Sequence, residues 1–523
     1  MNEWQTQLKN VPIDTIRSRR LEEKRVLTSG NAGKILPIAY VPLLREDSLV
    51  SGRMRLNFEM METAEALMNG INVQVNAYFV PWLAFDRFEG SMDRLNRAYA
   101  GQPAYDGGPV TPWFNLSGTA WDIKNSPIMK TLGLHSRVGI KKNMAMIEAY
   151  NCIVNYRRKQ RSKSLPLRAW NADTLAEAFW LHTSMKHIVP DFDQALIDGE
   201  VALNVVSANL PVKVPDPTGL DAANQSLKVK ANGKVAIWAD QAEELFAEMA
   251  ASGITVSLSN IDLAKKTAAF ARLRQQYQGH DDDWIIDTLM SGIRLPEQAL
   301  KEPLLLQQVN TLFGYSTRFA SDAANLDESV TVGQTYVDLN LRLPRVNTGG
   351  IIMVTAEIVP EQLFERQKDY FLHAQTVSEL PEYVRDYLDP EKVSLVQNQH
   401  VDMDHTDPTG TFGYAPLNHQ WMRTGPNIGG KYYRPSVNTT FDEDRQKIWA
   451  VETVDPELTA DFYMCTQMHQ KVFADTVSDA FEIMARGRFV IEGNTVFGPA
   501  LSEATDDYDA VMAKVDQTRL VKS

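Results

Sequence analysis

The sequence contains little cysteine and no long apolar run. Its 523 residues include two cysteines, Cys152 and Cys465, too few for a disulfide framework or a four-thiolate metal site. Such low cysteine usage is typical of a chain made in a reducing cytoplasm. No apolar stretch reaches the about 20 residues that a membrane-spanning helix needs. The N-terminal stretch lacks the apolar core of a secretory signal. We therefore expect a folded soluble protein without an export signal.

Motifs of common catalytic sites are also missing. The histidines form no His-x-His pair of the cupin type and no His-Glu-x-x-His, and the chain has no Gly-x-Ser-x-Gly. The run GPNIGGK, residues 425–431, has the spacing of a phosphate loop, but Tyr432 stands where that loop needs Ser or Thr. A Gly/Pro loop is the better interpretation, and we expect the protein not to be an enzyme.

One acidic cluster, HVDMDHTDPTG, is a candidate metal site. Asp402, Asp404 and Asp407 are the candidate ligands, because aspartates at alternating positions can surround calcium with oxygen atoms. The loop lacks the central glycine and the late bidentate glutamate of an EF-hand. The alternative is a solvated loop whose aspartates cap turns. No other cofactor is expected.

Alternation of apolar and polar residues predicts a mainly β fold. In INVQVNAYFVPW, Ile71, Val73 and Val75 alternate with Asn72 and Gln74, which favours a strand with one buried face. Strands of this kind suit antiparallel sheets, and two packed sheets, a sandwich or jelly roll, would cover their apolar faces. We expect one domain over residues 1–523 with large helical and loop insertions. Further strand candidates are residues 34–44, 52–60, 201–206, 336–344, 351–359, 447–453 and 481–491.

Two helices and a hairpin are predicted between these strands. VPEQLFERQKDYFLH, residues 359–373, has Pro360 in its first turn and apolar residues at helical spacing. SNIDLAKKTAAFARLRQQYQG, residues 259–279, has a Ser-Asn N-cap and a terminal glycine. KVKANGKVAIW, residues 228–238, predicts a hairpin, because Asn-Gly suits a type I′ turn.

Positive charge is concentrated in one segment of an acidic chain. The formal net charge is −13, yet five of the twelve residues in NYRRKQRSKSLP, 155–166, are Arg or Lys. Such a patch can neutralise phosphates without reading base sequence. Tyr156 and Trp170 flank it and could stack on unpaired bases. The alternatives are an intersubunit patch paired with acidic neighbours, or a solvated loop. The candidate DNA contacts are Arg157, Arg158, Lys159, Arg161 and Lys163.

Several segments, in order, resemble the major capsid proteins of microviruses, small tailless phages with circular single-stranded DNA. The similarity extends from about residue 35 to about residue 500 and is strongest to gokushovirus-type members. The segments that carry it are NVQVNAYFVPWLAFDRFEG, IEAYNCIVNYRRKQRSKSLP, SNIDLAKKTAAFARLRQQYQGHDDDWIIDTLMSGIRLPEQALKEPLLL and TYVDLNLRLPRVNTGGIIMVTAEIVPEQLFERQKDYF.

The resemblance implies an eight-stranded antiparallel jelly roll with large insertions. Sixty copies would form an icosahedral shell around single-stranded DNA, assembled in the host cytoplasm. Residues 206–252 lie where gokushovirus-type proteins carry a projecting insertion, so we expect that segment to project outward and to be available to a host receptor. The loops at 101–126 are candidates for intersubunit contacts. The alternative function is a soluble jelly-roll enzyme or a carbohydrate-binding protein that uses an aromatic face.

Overall fold

The structure is a computed structural model that describes most of the chain. The described residues are 17–103, 108–162, 164–181, 185, 187–190, 227–229, 235–237, 300–319, 329–388, 393–422, 425–433, 447–451 and 453–498. The predicted strand at 201–206, the predicted helix at 259–279 and Lys163 lie outside these ranges. So does most of the 206–252 insertion.

The described residues form thirteen β-strands and six α-helices. The strands are β1 (Ser18–Gly30), β2 (Ile35–Leu43), β3 (Ser48–Met60), β4 (Ile71–Pro81), β5 (Leu227–Val229), β6 (Val235–Ile237), β7 (Leu304–Leu312), β8 (Gly314–Phe319), β9 (Ser329–Leu343), β10 (Gly350–Pro360), β11 (Val393–Gln397), β12 (Thr411–Pro416) and β13 (Phe481–Gly493). The helices are α1 (Met92–Tyr99), α2 (Pro127–Thr131), α3 (Ala145–Arg161), α4 (Tyr370–His373), α5 (Tyr383–Leu388) and α6 (Ala460–Tyr463).

Two larger antiparallel sheets contain most of the strands. The five-stranded sheet has the order β1-β13-β3-β9-β8, and the four-stranded sheet has the order β2-β10-β4-β7. Four pairings are nested along the chain: β1 pairs with β13, β2 with β10, β3 with β9 and β4 with β7. The predicted mainly β, antiparallel fold is confirmed.

The two sheets share one apolar core. Strand β3 buries Leu56 and Phe58 and exposes Arg53 and Arg55, as period-two alternation predicts. Buried residues of the four-stranded sheet, such as Val75, belong to the same cluster as Leu56. One face of the five-stranded sheet therefore remains open to solvent.

The four-stranded sheet is covered on both faces. All of β10 and nearly all of β4 are buried, including polar Asn76. Helix α3 packs on β4 and β10, and the hydroxyl of Tyr150 donates to the Ile35 carbonyl at 2.7 Å. The prediction that β4 is only half buried was therefore wrong, because the helix and its flanking loops cover its polar face.

Two local predictions were wrong because tertiary contacts replaced regular structure. Within 359–373, β10 continues to Pro360 and only Tyr370–His373 is helical. In the intervening loop, Arg366 bonds to Asp402. The described part of 447–453 is not a strand either. There Trp449 is fully buried, and its indole donates to the His469 carbonyl at 3.0 Å.

The chain divides into two compact units, residues 1–195 with 294–523, and residues 196–293. In the second unit the described residues are β5 and β6, which pair antiparallel as the hairpin prediction expects, and the predicted Asn-Gly turn lies outside the described residues. The outward projection of residues 206–252 stays a prediction. Among the described residues, no helix is long and apolar enough to cross a membrane.

Candidate nucleic-acid interface

Most of the basic segment lies at the C-terminal end of helix α3. The helix begins at Ala145, whose N–H donates to the Asn143 side chain at 2.7 Å, and ends at Arg161. Its basic end suits the helix dipole, because cations stabilise the negative C-terminus. The positive charge at 157–161 is therefore on a packed helix rather than in a solvated loop.

Arg157 is directed at the four-stranded sheet. Its guanidinium forms a bidentate ion pair with Glu357 of β10, one arm of which measures 3.0 Å. The Arg157 and Glu357 side chains are 12% and 2% exposed. The guanidinium also lies over the Phe179 ring, 4.8 Å from its centroid. Burial alone would lower the pKa of Arg157, but the charge and hydrogen bonds of Glu357 outweigh burial and raise it.

The ion pair is part of a buried polar network. The Asn76 amide donates to Glu357 at 3.3 Å, and the Gln74 amide donates to Asn76 at 3.2 Å. Tyr78 follows on the same face of β4, where burial raises its pKa. The alternating sequence pattern predicted that these polar residues face solvent. They instead surround a buried ion pair, and the amides form hydrogen bonds there.

Arg158 and Arg161 also turn inward. Arg158 is buried and donates to the Pro166 carbonyl at 2.6 Å and to Glu177 at 3.4 Å. The Arg161 guanidinium lies 5.6 Å from the centroid of the Tyr463 ring. Burial lowers the pKa of both guanidinium groups. These arginines secure α3 to its surroundings within one chain.

Lys159 remains exposed and borders a groove beside α3. Tyr156 and Trp170 line the same groove of about 350 Å³, so the structure brings together the two aromatics and one of the predicted cations. Lys301 also lines it, a residue that sequence analysis missed because it lies more than 100 positions away. Asp86, Glu148 and Glu302 contribute acidic groups to the groove, which offset its cations.

Two of the three candidate calcium ligands, Asp402 and Asp407, are used in other ways, and Asp404 is exposed. Asp402 is buried and accepts two hydrogen bonds from Arg366, at 2.8 and 3.0 Å. The Asp407 carboxylate accepts from the Gly410 N–H at 3.2 Å, as a turn cap does. Within the described part of the chain, no group of three His, Cys, Asp or Glu side chains is placed to hold a metal ion. The geometry favours the turn-capping alternative.

An apolar segment that sequence analysis did not single out lies on the surface at 370–388. It contains α4 and α5, separated by a short 3₁₀ turn. Its large exposed side chains, 72% to 83% accessible, are Phe371, Leu372, Val377, Tyr383, Tyr387 and Leu388. Apolar residues at this density are unusual on the surface of a monomer and mark contact surfaces.

The loops at 101–126, predicted to make intersubunit contacts, are partly engaged within the chain. The Trp113 ring lies 5.6 Å from both Trp82 and Phe88, centroid to centroid. Val110 and Leu116 are exposed. Contacts from these loops to other subunits stay a prediction.

Comparison with known proteins leaves the family open. No protein-family model matches the chain, and no curated protein matches it. Microvirus membership therefore stays a prediction that rests on the sequence resemblance.

Proposed function

We propose that this protein is the subunit of a closed shell that encloses single-stranded DNA, the role implied by its resemblance to microvirus major capsid proteins. The observation that carries the proposal is the exposed apolar segment at 370–388. Obligate assemblies bury large apolar surfaces that would face water in an isolated chain. In this proposal the segment is covered by a neighbouring copy.

The strand order supports an eight-stranded jelly roll as the shell-forming domain. A long antiparallel ribbon that is rolled up has nested strand pairs. The structure has four such pairs, β1–β13, β2–β10, β3–β9 and β4–β7. Jelly rolls occur in viral capsid, lectin and cupin domains. The fold therefore suits a shell subunit without selecting that role, and the exposed apolar segment supports it.

Assembly tests the proposal. We expect purified wild-type protein to form large closed particles in negative-stain images. A double variant, Phe371→Asp with Leu388→Asp, should stay a small species, because two carboxylates would be buried at the contact without partners. An enzyme or carbohydrate-binding protein would instead give a small oligomer from the wild-type chain.

The matched control is Val477→Asp. Val477 is 89% exposed and lies outside the apolar segment, so it carries the same chemical change at a different place. The control should assemble like wild type. Assembly of the double variant to the wild-type extent would contradict the role of the segment, and a wild-type chain that never forms particles would contradict the proposed function.

A further inference from the structure

Five arginines lie together on the solvent face of the five-stranded sheet. Residues of β3 and β13 alternate mostly between buried and exposed, those of β1 alternate between partly buried and exposed, and the arginines occupy exposed positions. They come from three strands and are Arg25, Arg53, Arg55, Arg486 and Arg488. We call this surface the arginine face.

Strand register places these side chains in two adjacent rows. Arg25 pairs with Arg486, which pairs in turn with Arg55. In the next row Arg488 pairs with Arg53. Neighbouring strands are about 4.8 Å apart and alternate residues along a strand about 6.7 Å apart, so each guanidinium has others nearby. All five line one shallow depression of about 550 Å³.

Few carboxylates balance this charge. Asp338 of β9 bonds to Arg55 at 3.0 Å and lies 3.6 Å from Arg53. Glu23 is the other acidic residue in the two rows. Among the described residues, Arg25, Arg486 and Arg488 have no ion pair. Like charges directly opposite each other weaken a sheet, so an anion that covers this face would relieve the repulsion.

The adjoining row of the face contains two apolar residues, one asparagine and one tyrosine. Leu27 pairs with Met484, Met484 pairs with Asn57, and Asn57 pairs with Tyr336. Leu27, Met484 and Tyr336 are all exposed large side chains. Guanidinium groups suit phosphate oxygens, and exposed rings suit the faces of unpaired bases. An acidic protein partner would complement the charge of the arginines, but it would not explain the exposed tyrosine and apolar side chains of this row.

We infer that the arginine face binds single-stranded nucleic acid, with phosphates on the two arginine rows and bases against Tyr336 and the apolar side chains of the same row. The inference rests on the proposed function, in which the shell encloses single-stranded DNA, and it assigns this sheet face to the inner surface. Binding is independent of base sequence, because phosphate contacts position a strand without reading it.

The test measures binding of a labelled thymidine oligonucleotide to the unassembled full-length chain, in which an inner face is accessible, across a salt series. The variant changes Arg25, Arg486 and Arg488 together to Gln. Each lost phosphate contact removes about 0.7 from the salt slope of a single strand, so the slope should fall by about 2. At 0.1 M salt the affinity should drop on the order of a hundredfold. The single variant Arg486→Gln should show a smaller loss in the same direction.

The control removes the same charge elsewhere, by changing exposed Arg137, Lys141 and Lys431 to Gln. It should bind like wild type. Three results would overturn the inference: unchanged binding by the arginine variant, an equal loss in the control, or competition by polyglutamate as strong as by DNA. Loss of particles in the arginine variant alone would also overturn it and indicate a subunit contact. Binding is measured on the chain before it assembles, so the two proposals can fail independently. Failure of the wild-type chain to form particles would contradict the proposed shell function but not the binding of nucleic acid.

Discussion

Arg157 of helix α3 and Glu357 of strand β10, 200 positions apart, form a bidentate ion pair beneath the helix. The pair joins the helix to the four-stranded sheet. It also directs the charge of Arg157 away from solvent, so this arginine is not available to a phosphate in the folded chain. The basic segment thus serves largely to hold the helix in place.

Removal of Arg157 should destabilise the fold. Arg157→Met leaves Glu357 as a buried carboxylate without its cation, which costs about 3–5 kcal/mol in comparable sites. The change should appear as a lower midpoint in urea unfolding. The matched control is Lys159→Met, two positions along the same helix and exposed, which should change stability by no more than about 0.5 kcal/mol. Equal effects of the two substitutions would contradict the structural role of Arg157.

Sequence patterning predicted where positive charge is concentrated but not where it points. The basic residues around Arg157 are adjacent in the sequence, so the concentration of charge is easy to recognise. Its partner Glu357 lies in a strand of mostly apolar residues, and nothing in the sequence connects the two. The arginine face was missed for a related reason. Arg25, Arg53 and Arg486 are isolated from one another in sequence, and only strand register brings them together.

Strands were likewise predicted only where the sequence pattern was clear. β3, β10 and β13 were predicted because their apolar residues alternate or form a run. β1 was missed because six of its thirteen residues are charged and they are divided between both faces, as suits the edge of a sheet. β7 was missed as well, and it too is an edge strand with little burial.

Stability should depend on pH through His469. Its Nε2 lies 3.0 Å from the Ala450 carbonyl and its Nδ1 accepts from the Lys471 N–H at 3.4 Å, an arrangement that needs a neutral ring. Burial lowers the pKa of His469 below its ordinary value. The unfolded chain therefore takes up a proton first as the pH falls below about 6.5, and stability is lost from there down to the folded pKa.

Melting temperatures between pH 5 and 7.5 would measure this effect. His469→Gln should lower stability at pH 7.5 but flatten the decline toward acid, since the titrating group is gone. A decline of the same steepness in the variant and the wild type would show that other groups cause it.

Both thiols should be unreactive in the folded chain. Burial raises the pKa of Cys152 to about 12, and it raises the pKa of Cys465 well above its ordinary value. Because the thiolate is the reactive form, a thiol-specific reagent at pH 8 should modify neither residue until denaturant is added. Rapid modification under native conditions would contradict the burial of Cys465, and at Cys152, which is partly exposed, it would contradict the raised pKa.

Calcium should not stabilise the loop at 400–410. Arg366 already engages both oxygens of the Asp402 carboxylate, so a cation would have to displace a buried arginine. We expect the same melting temperature with millimolar calcium and with a chelator. A rise with calcium that Asp404→Asn abolishes would restore the metal-site interpretation.

The central claim, that the protein is a shell subunit, is tested most directly by the mass of the native particle. Sixty copies of a 58.8 kDa chain amount to about 3.5 MDa of protein. Mass photometry of the purified wild-type chain should show a narrow population at or above that mass, higher where nucleic acid is enclosed. A single population at the mass of a monomer or small oligomer, under conditions where the chain is folded, would contradict the account.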